Sequence, residues 1–125
     1  MPTKDYQETD NEEAEKLYYQ GFQYDNKNQY DKALEYYIKA AEMNYIQAQY
    51  RIGYCYKETG NIKEAIKWYT KAAMNGYGSA LFSLGSLNEY GNGVYKNRIT
   101  ALNWYKKAVK HGVGHAQWHI DKLTN

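Results

Sequence analysis

With 125 residues, 16 Lys+Arg and 14 Asp+Glu, the chain is one domain's worth of sequence with a formal charge of +2, too little for the basic footprint that nucleic acid demands. Its mean hydropathy of −0.92 is polar for a packed protein until the 16 Tyr and 3 Trp are counted, because such rings bury large apolar areas while their polar ends stay wet. A lone cysteine, Cys55, excludes an intrachain disulfide; with no apolar run resembling a signal peptide or approaching the roughly 20 residues of a membrane span, the expectation is a soluble, cytoplasmic protein with no membrane partner.

Residues 1–8 are polar and without period, and read as a frayed or disordered tail. Thr9-Asp10-Asn11-Glu12 fits a capping box and predicts a helix from Thr9 to about Asp25. The acidic residues of its first turns suit the positive end of the helix dipole. A polar turn, Asp25-Asn26-Lys27-Asn28, leads to a second helix from about Gln29 to Met43. On that helix Ala33, Tyr37 and Ala40 share one face, a small-aromatic-small stripe that lets a neighbour approach closely while the ring fills the space beside it.

The same hairpin then recurs at an offset of 32 residues. Gly21 becomes Gly53, Tyr24 becomes Tyr56, Asn28 becomes Gly60, and the stripe returns as Ala65, Tyr69 and Ala72. A glycine in mid-helix costs about 1 kcal/mol against alanine, so its return predicts close approach of the partner helix. A third hairpin opens at about Ser79 and carries the stripe Ala101, Tyr105 and Ala108, after a glycine-rich insert at Gly91-Asn92-Gly93-Val94. Asn44, Gly76 and Gly112 stand at one phase, where a left-handed residue ends each second helix. A final half-unit, Ala116-Gln117-Trp118-His119-Ile120-Asp121, reads as a cap. The expected division is thus a single repeat domain over 9–125, with units of about 9–45, 46–77 and 78–113 and a cap over 114–125.

These residues carry a resemblance to the Sel-one-like repeat, a relative of the tetratricopeptide repeat. The third unit is most similar, with Ala80, Leu84-Gly85, Gly91-Asn92-Gly93-Val94 and then Ala101-Leu102-Asn103-Trp104-Tyr105-Lys106-Lys107-Ala108. It departs from that family at Asn88, Asn97 and Thr100, and the first two units lack the glycine-rich insert. The resemblance implies an all-α fold, a right-handed α-solenoid of three helix-turn-helix hairpins plus a C-terminal capping helix, whose first helices line a concave face. It also implies a non-catalytic scaffold or adaptor that binds a protein or peptide, with no cofactor.

On that face the resemblance places Tyr18, Tyr19 and Phe22 from the first unit and Tyr50, Arg51 and Tyr54 from the second. Phe82, Ser83 and Ser86 follow from the third, with Trp118 and His119 from the cap. Aromatic and arginine side chains are favoured interface anchors, and the expectation is a groove that holds a peptide or a partner helix. The competing explanation is that Tyr18, Tyr50, Phe82 and Trp118 fill the space between stacked repeats.

Other constellations are weaker. His115 and His119 have the i, i+4 spacing of a chelating pair, but no Glu or Asp follows His115 to complete a protease motif, and no metal site is expected. Cys55 has none of the sequence pattern of a nucleophile around it and reads as a small packed residue. The Gly91-Asn92-Gly93 stretch lacks the Lys-Ser or Lys-Thr of a phosphate loop. No paired acid and base stands out, so no enzyme is expected. Acidic residues crowd the N-terminal part and basic ones the last third, which leaves room for weak head-to-tail self-association of a chain otherwise expected to be monomeric.

Overall fold

The computed structural model describes residues 2–125, with side chains from residue 11 onward. Among these residues there are seven helices and no strand. Helix α1 spans Pro2–Asp25, α2 Tyr30–Glu42, α3 Ile46–Glu58, α4 Ile62–Met74, α5 Gly78–Tyr90, α6 Arg98–Lys110 and α7 Ala116–Thr124. Packing runs mainly between consecutive helices, as α1 with α2, α3 with α4 and α5 with α6 inside hairpins, and α7 closes against α6. That is the near-neighbour logic of a repeat array, in which no single hairpin can bury its apolar stripe alone.

At the N-terminus the helix boundary differs from the sequence expectation of a tail over 1–8 and a start at Thr9, because the backbone is already helical from Pro2. Proline suits the first helical turn, where its missing N–H has no intrahelical acceptor to lose. The Thr9 capping box, and the charges of Asp5, Glu8 and Asp10, lie outside the described side chains.

The stripes are the core. Ala33, Tyr37 and Ala40, then Ala65, Tyr69 and Ala72, then Ala101, Tyr105 and Ala108 are each at most 1% exposed. The reason for the recurrent mid-helix glycine follows from these tyrosines. A Cβ on Gly53 would lie 2.6 Å from Cδ1 of Tyr69, and on Gly21 or Gly85 it would meet Tyr37 or Tyr105 at 2.7 and 2.8 Å. Each second-helix ring thus presses on the backbone of its own first helix, where only glycine leaves room.

Helices α2, α4 and α6 stop in the same way. Asn44, Gly76 and Gly112 have φ of 63°, 79° and 91°. Around them the N–H groups of Tyr45, Tyr77 and Val113 donate back to the carbonyls of Ala40, Ala72 and Ala108 at 3.2, 3.0 and 2.9 Å, and those of Asn44, Gly76 and Gly112 donate to Ala41, Ala73 and Val109 at 2.9, 2.9 and 3.1 Å, the paired bonds of a Schellman turn. The insert after α5 is a built loop: the Asn97 N–H donates to the Asn88 carbonyl at 2.9 Å, and the Asn97 side chain accepts from Thr100 N–H at 3.0 Å to cap α6. Of the positions at which the third unit departs from its resemblance, Asn97 thus contributes its side chain to this turn, while Asn88 and Thr100 contribute backbone groups.

Candidate partner-binding face

The first helices α1, α3 and α5, with the cap α7, carry the predicted groove residues at recurring phases. The phase of Tyr18, Tyr50 and Phe82 joins neighbouring units. Tyr18 has its ring centroid 5.5 Å from Tyr37 of its own hairpin and 5.2 Å from Tyr45, the residue that leads into α3. Tyr50 repeats this with Tyr69 at 5.5 Å and Tyr77 at 5.4 Å, and Phe82 with Tyr105 at 5.4 Å and His115 at 4.7 Å. These rings do fill the space between repeats, and each remains half-buried. Trp118, in the same phase, is 62% exposed, with Lys122 4.8 Å over its ring. Tyr19 is also exposed and meets Tyr18 edge-on.

Beside the aromatic phase runs a ladder of buried charge. Asp25 ends α1 at 5% exposed. Its Oδ2 accepts the Tyr37 hydroxyl at 2.8 Å and lies 3.6 Å from Nη1 of Arg51, which reaches back from the second unit. The Arg51 guanidinium is sandwiched by aromatic faces, 5.1 Å from Phe22 and 5.5 Å from Tyr54, so three of the predicted groove residues meet around one cation. Burial and the Asp25 carboxylate together push the Tyr37 phenol well above its ordinary range.

Two units further on the same arrangement returns with Glu89. Its Oε1 accepts the Tyr105 hydroxyl at 2.7 Å and lies 2.8 Å from Nδ1 of His119, while Oε2 lies 2.7 Å from Nζ of Lys122. Burial alone would push the Glu89 carboxyl up, but the bonds from Lys122, Tyr105 and His119 outweigh it and leave the acid below its usual range. His119 is therefore committed to Glu89, and His115 to the ring of Phe82. Among the described residues no three His, Cys, Asp or Glu side chains converge as metal ligands.

Between these two charged clusters the middle unit is open. A pocket of about 210 Å³ lies on the face, walled by Tyr50, Phe82 and Leu87 and carrying the polar side chains of Lys57, Tyr69, Ser83, Ser86 and Asn92. Four of the predicted groove residues, Tyr50, Phe82, Ser83 and Ser86, thus come together in one concavity. Burial pushes the Tyr69 phenol up, and the Ser83 side chain beside it pulls the other way. Cys55 lies behind the face, fully buried, with its thiol pushed up to about 12 by burial, which leaves it a packed residue with no thiolate character.

A sequence profile for the SusR N-terminal TPR domain matches residues 4–102. The chain belongs to this family of TPR-like repeats. It is also similar to a crystal structure of a Sel1 repeat protein from Oxalobacter formigenes, with a TM-score of 0.74 and 31% identity over 86% of this chain and 47% of that one. A second similar structure is c5321, a protective antigen present in uropathogenic Escherichia coli strains and displaying an SLR fold, with a TM-score of 0.75 and 30% identity. That likeness covers 88% of this chain and 25% of the antigen, so the chain spans under half of either protein. No protein of curated function matches the sequence.

The TPR-like array brings in beside these rings several residues that sequence reasoning passed over: Asp25, Lys57 and Glu89 near the ends of first helices, and Lys122 in the cap. The signal was present, since Asp25, Lys57 and Glu89 follow one another at the repeat offset of 32 residues. They stand beside turns, where polar residues are unremarkable, and only the reach of the Tyr37 and Tyr105 hydroxyls shows that the phase is buried. TPR-like and SLR repeats serve in general as protein-interaction scaffolds.

Proposed function

We propose that this chain is a non-catalytic protein-binding module that seats a peptide segment or a partner helix along the face of its first helices, centred on Tyr50, Phe82, Ser83 and Ser86. The observation that carries this reading is the open pocket at the middle of the face, where aromatic walls and polar side chains meet. Arg51, Phe22 and Tyr54 on one side and Trp118 and His119 on the other extend the surface, and aromatic and arginine side chains are the usual anchors of interfaces. The absence of chemistry in this reading is supported by the commitments of the titratable groups. Glu89, His119 and Asp25 are each engaged by the protein's own side chains, and Cys55 is buried.

The test is selection of a random peptide library displayed on phage against the whole chain, followed by binding to variants. Peptides enriched on the wild type should lose binding to Ser86→Trp, which fills the pocket from a half-buried position, with helical content unchanged by circular dichroism. Lys39→Ala and Lys71→Ala, on the exposed sides of α2 and α4, should bind as the wild type does. Loss of binding in the lysine variants and not in Ser86→Trp would put the binding surface on the second helices and sink this reading.

A further inference from the structure

In two of the three hairpins the protein supplies a carboxylate to its own second-helix tyrosine. Asp25 receives the Tyr37 hydroxyl, with Arg51 from the next unit as its cation. Glu89 receives the Tyr105 hydroxyl, with Lys122 and His119 from the cap around it. In the middle hairpin this phase is held by Lys57, and the phase that carries Arg51 or His119 in the following unit is held by Ser83. The cation has thus moved onto the first helix. Glu58, the residue after Lys57, pushes the Tyr69 phenol up through space but lies outside the pocket wall, and no carboxylate takes the place of Asp25 or Glu89 at the Tyr69 hydroxyl. In its place lies the pocket of about 210 Å³, lined by Lys57, Tyr69, Ser83, Ser86 and Asn92, with no acidic residue in its wall.

We propose that this pocket takes the side-chain carboxylate of an aspartate or glutamate from a bound partner, completing in the middle unit the cluster that Asp25 and Glu89 complete in the flanking ones. The chemistry fits: an ammonium, three hydroxyls and a carboxamide can each donate to a carboxylate, and charge-assisted hydrogen bonds of this kind are the strong ones. The Lys57 ammonium, which lies 5.6 Å over the Tyr54 ring, is the charged donor. The inference rests on the proposed binding function and adds the chemistry of the ligand. An acidic side chain is the occupant because both internal counterparts are acidic side chains, presented at the same phase against the equivalent tyrosine.

The experiment is an NMR titration of the full ¹⁵N-labelled chain with three short alanine peptides. The first is capped at both ends with one central glutamate, the second is the same with glutamine, and the third has no acidic side chain and a free C-terminal carboxylate. The glutamate peptide should shift the amides of Lys57, Ser83 and Ser86 saturably, and the glutamine peptide should not. Lys57→Met, which keeps the aliphatic stem, should weaken the glutamate peptide about tenfold or more, whereas Lys71→Met leaves it unchanged. Lys57→Glu, which brings its own carboxylate to Tyr69, should abolish the shifts. Equal shifts with glutamine, unaltered affinity in Lys57→Met, or no shifts with any peptide would overturn the proposal, and binding by the free-terminus peptide alone would overturn the side-chain assignment. Library peptides that bind through Ser86 without an acidic residue would leave the binding function standing and remove this inference alone.

Discussion

Arg51 and Asp25 tie the first two repeats together: Nη1 of the arginine on α3 lies 3.6 Å from Oδ2 of the aspartate that ends α1. The same oxygen accepts the Tyr37 hydroxyl at 2.8 Å. The two contacts differ in kind. The hydroxyl bond is short and buried, whereas 3.6 Å is longer than a charge-assisted hydrogen bond, and the arginine side chain is 28% exposed. The aspartate is thus held chiefly by the tyrosine inside its own hairpin, with the arginine as a weaker stitch to the next.

Unfolding in urea should separate these contributions. Asp25→Ala leaves the buried Tyr37 hydroxyl without its acceptor and is expected to cost roughly 1–3 kcal/mol. Arg51→Met keeps a flexible apolar stem between Phe22 and Tyr54 but loses the partly exposed ion pair and the cation over the two rings, for which about 1 kcal/mol is expected. If Arg51→Met proved the more damaging of the two, the ion pair and not the phenol would be the main partner of Asp25.

Gly53→Ala sets two effects of opposite sign against each other. Alanine gains about 1 kcal/mol of helix propensity over glycine. Its Cβ, however, would lie 2.6 Å from Cδ1 of Tyr69, a ring 1% exposed and enclosed by the core. Overpacking of this kind costs roughly 1–3 kcal/mol, so the substitution should lower the melting temperature despite the better helix former. A rise in melting temperature would mean that the ring can retreat and that close approach is not why glycine stands there.

The fold was legible in the sequence because its determinants are local and repeat. The alanine-tyrosine-alanine stripes, the mid-helix glycines and the Asn44, Gly76 and Gly112 terminators each follow from a period or a backbone angle that the residue type itself encodes. The charge ladder was not legible, for a physical reason: its meaning lies in which hydroxyl reaches which carboxylate across two helices. His119 illustrates the difference. By spacing it pairs with His115, yet in space it lies 2.8 Å from Glu89, thirty residues earlier in the chain, and His115 packs on Phe82 at 4.7 Å. A helical period identifies which residues share a face, but not which partner from the neighbouring unit meets them.

Glu89 gives that ladder a pH signature. The carboxylate is 4% exposed and receives Tyr105, His119 and Lys122, and although burial opposes ionisation, the bonds leave its folded-state pKa below the ordinary value. An unfolded glutamate titrates near about 4.3. With the folded value lower, the unfolded chain binds the proton first as the pH falls. The stabilisation from Glu89 is therefore complete above about 4.3 and is lost as the pH drops through the lowered folded-state value. Glu89→Gln keeps an acceptor for the Tyr105 hydroxyl but has no charge to lose. Its melting temperature should fall below that of the wild type at neutral pH, and the gap should close as both are acidified past about 4.3. A gap that stays constant from neutral pH to about 3 would show that the charge on Glu89 contributes nothing, and that shape and hydrogen bonding alone hold the cap α7 against α5.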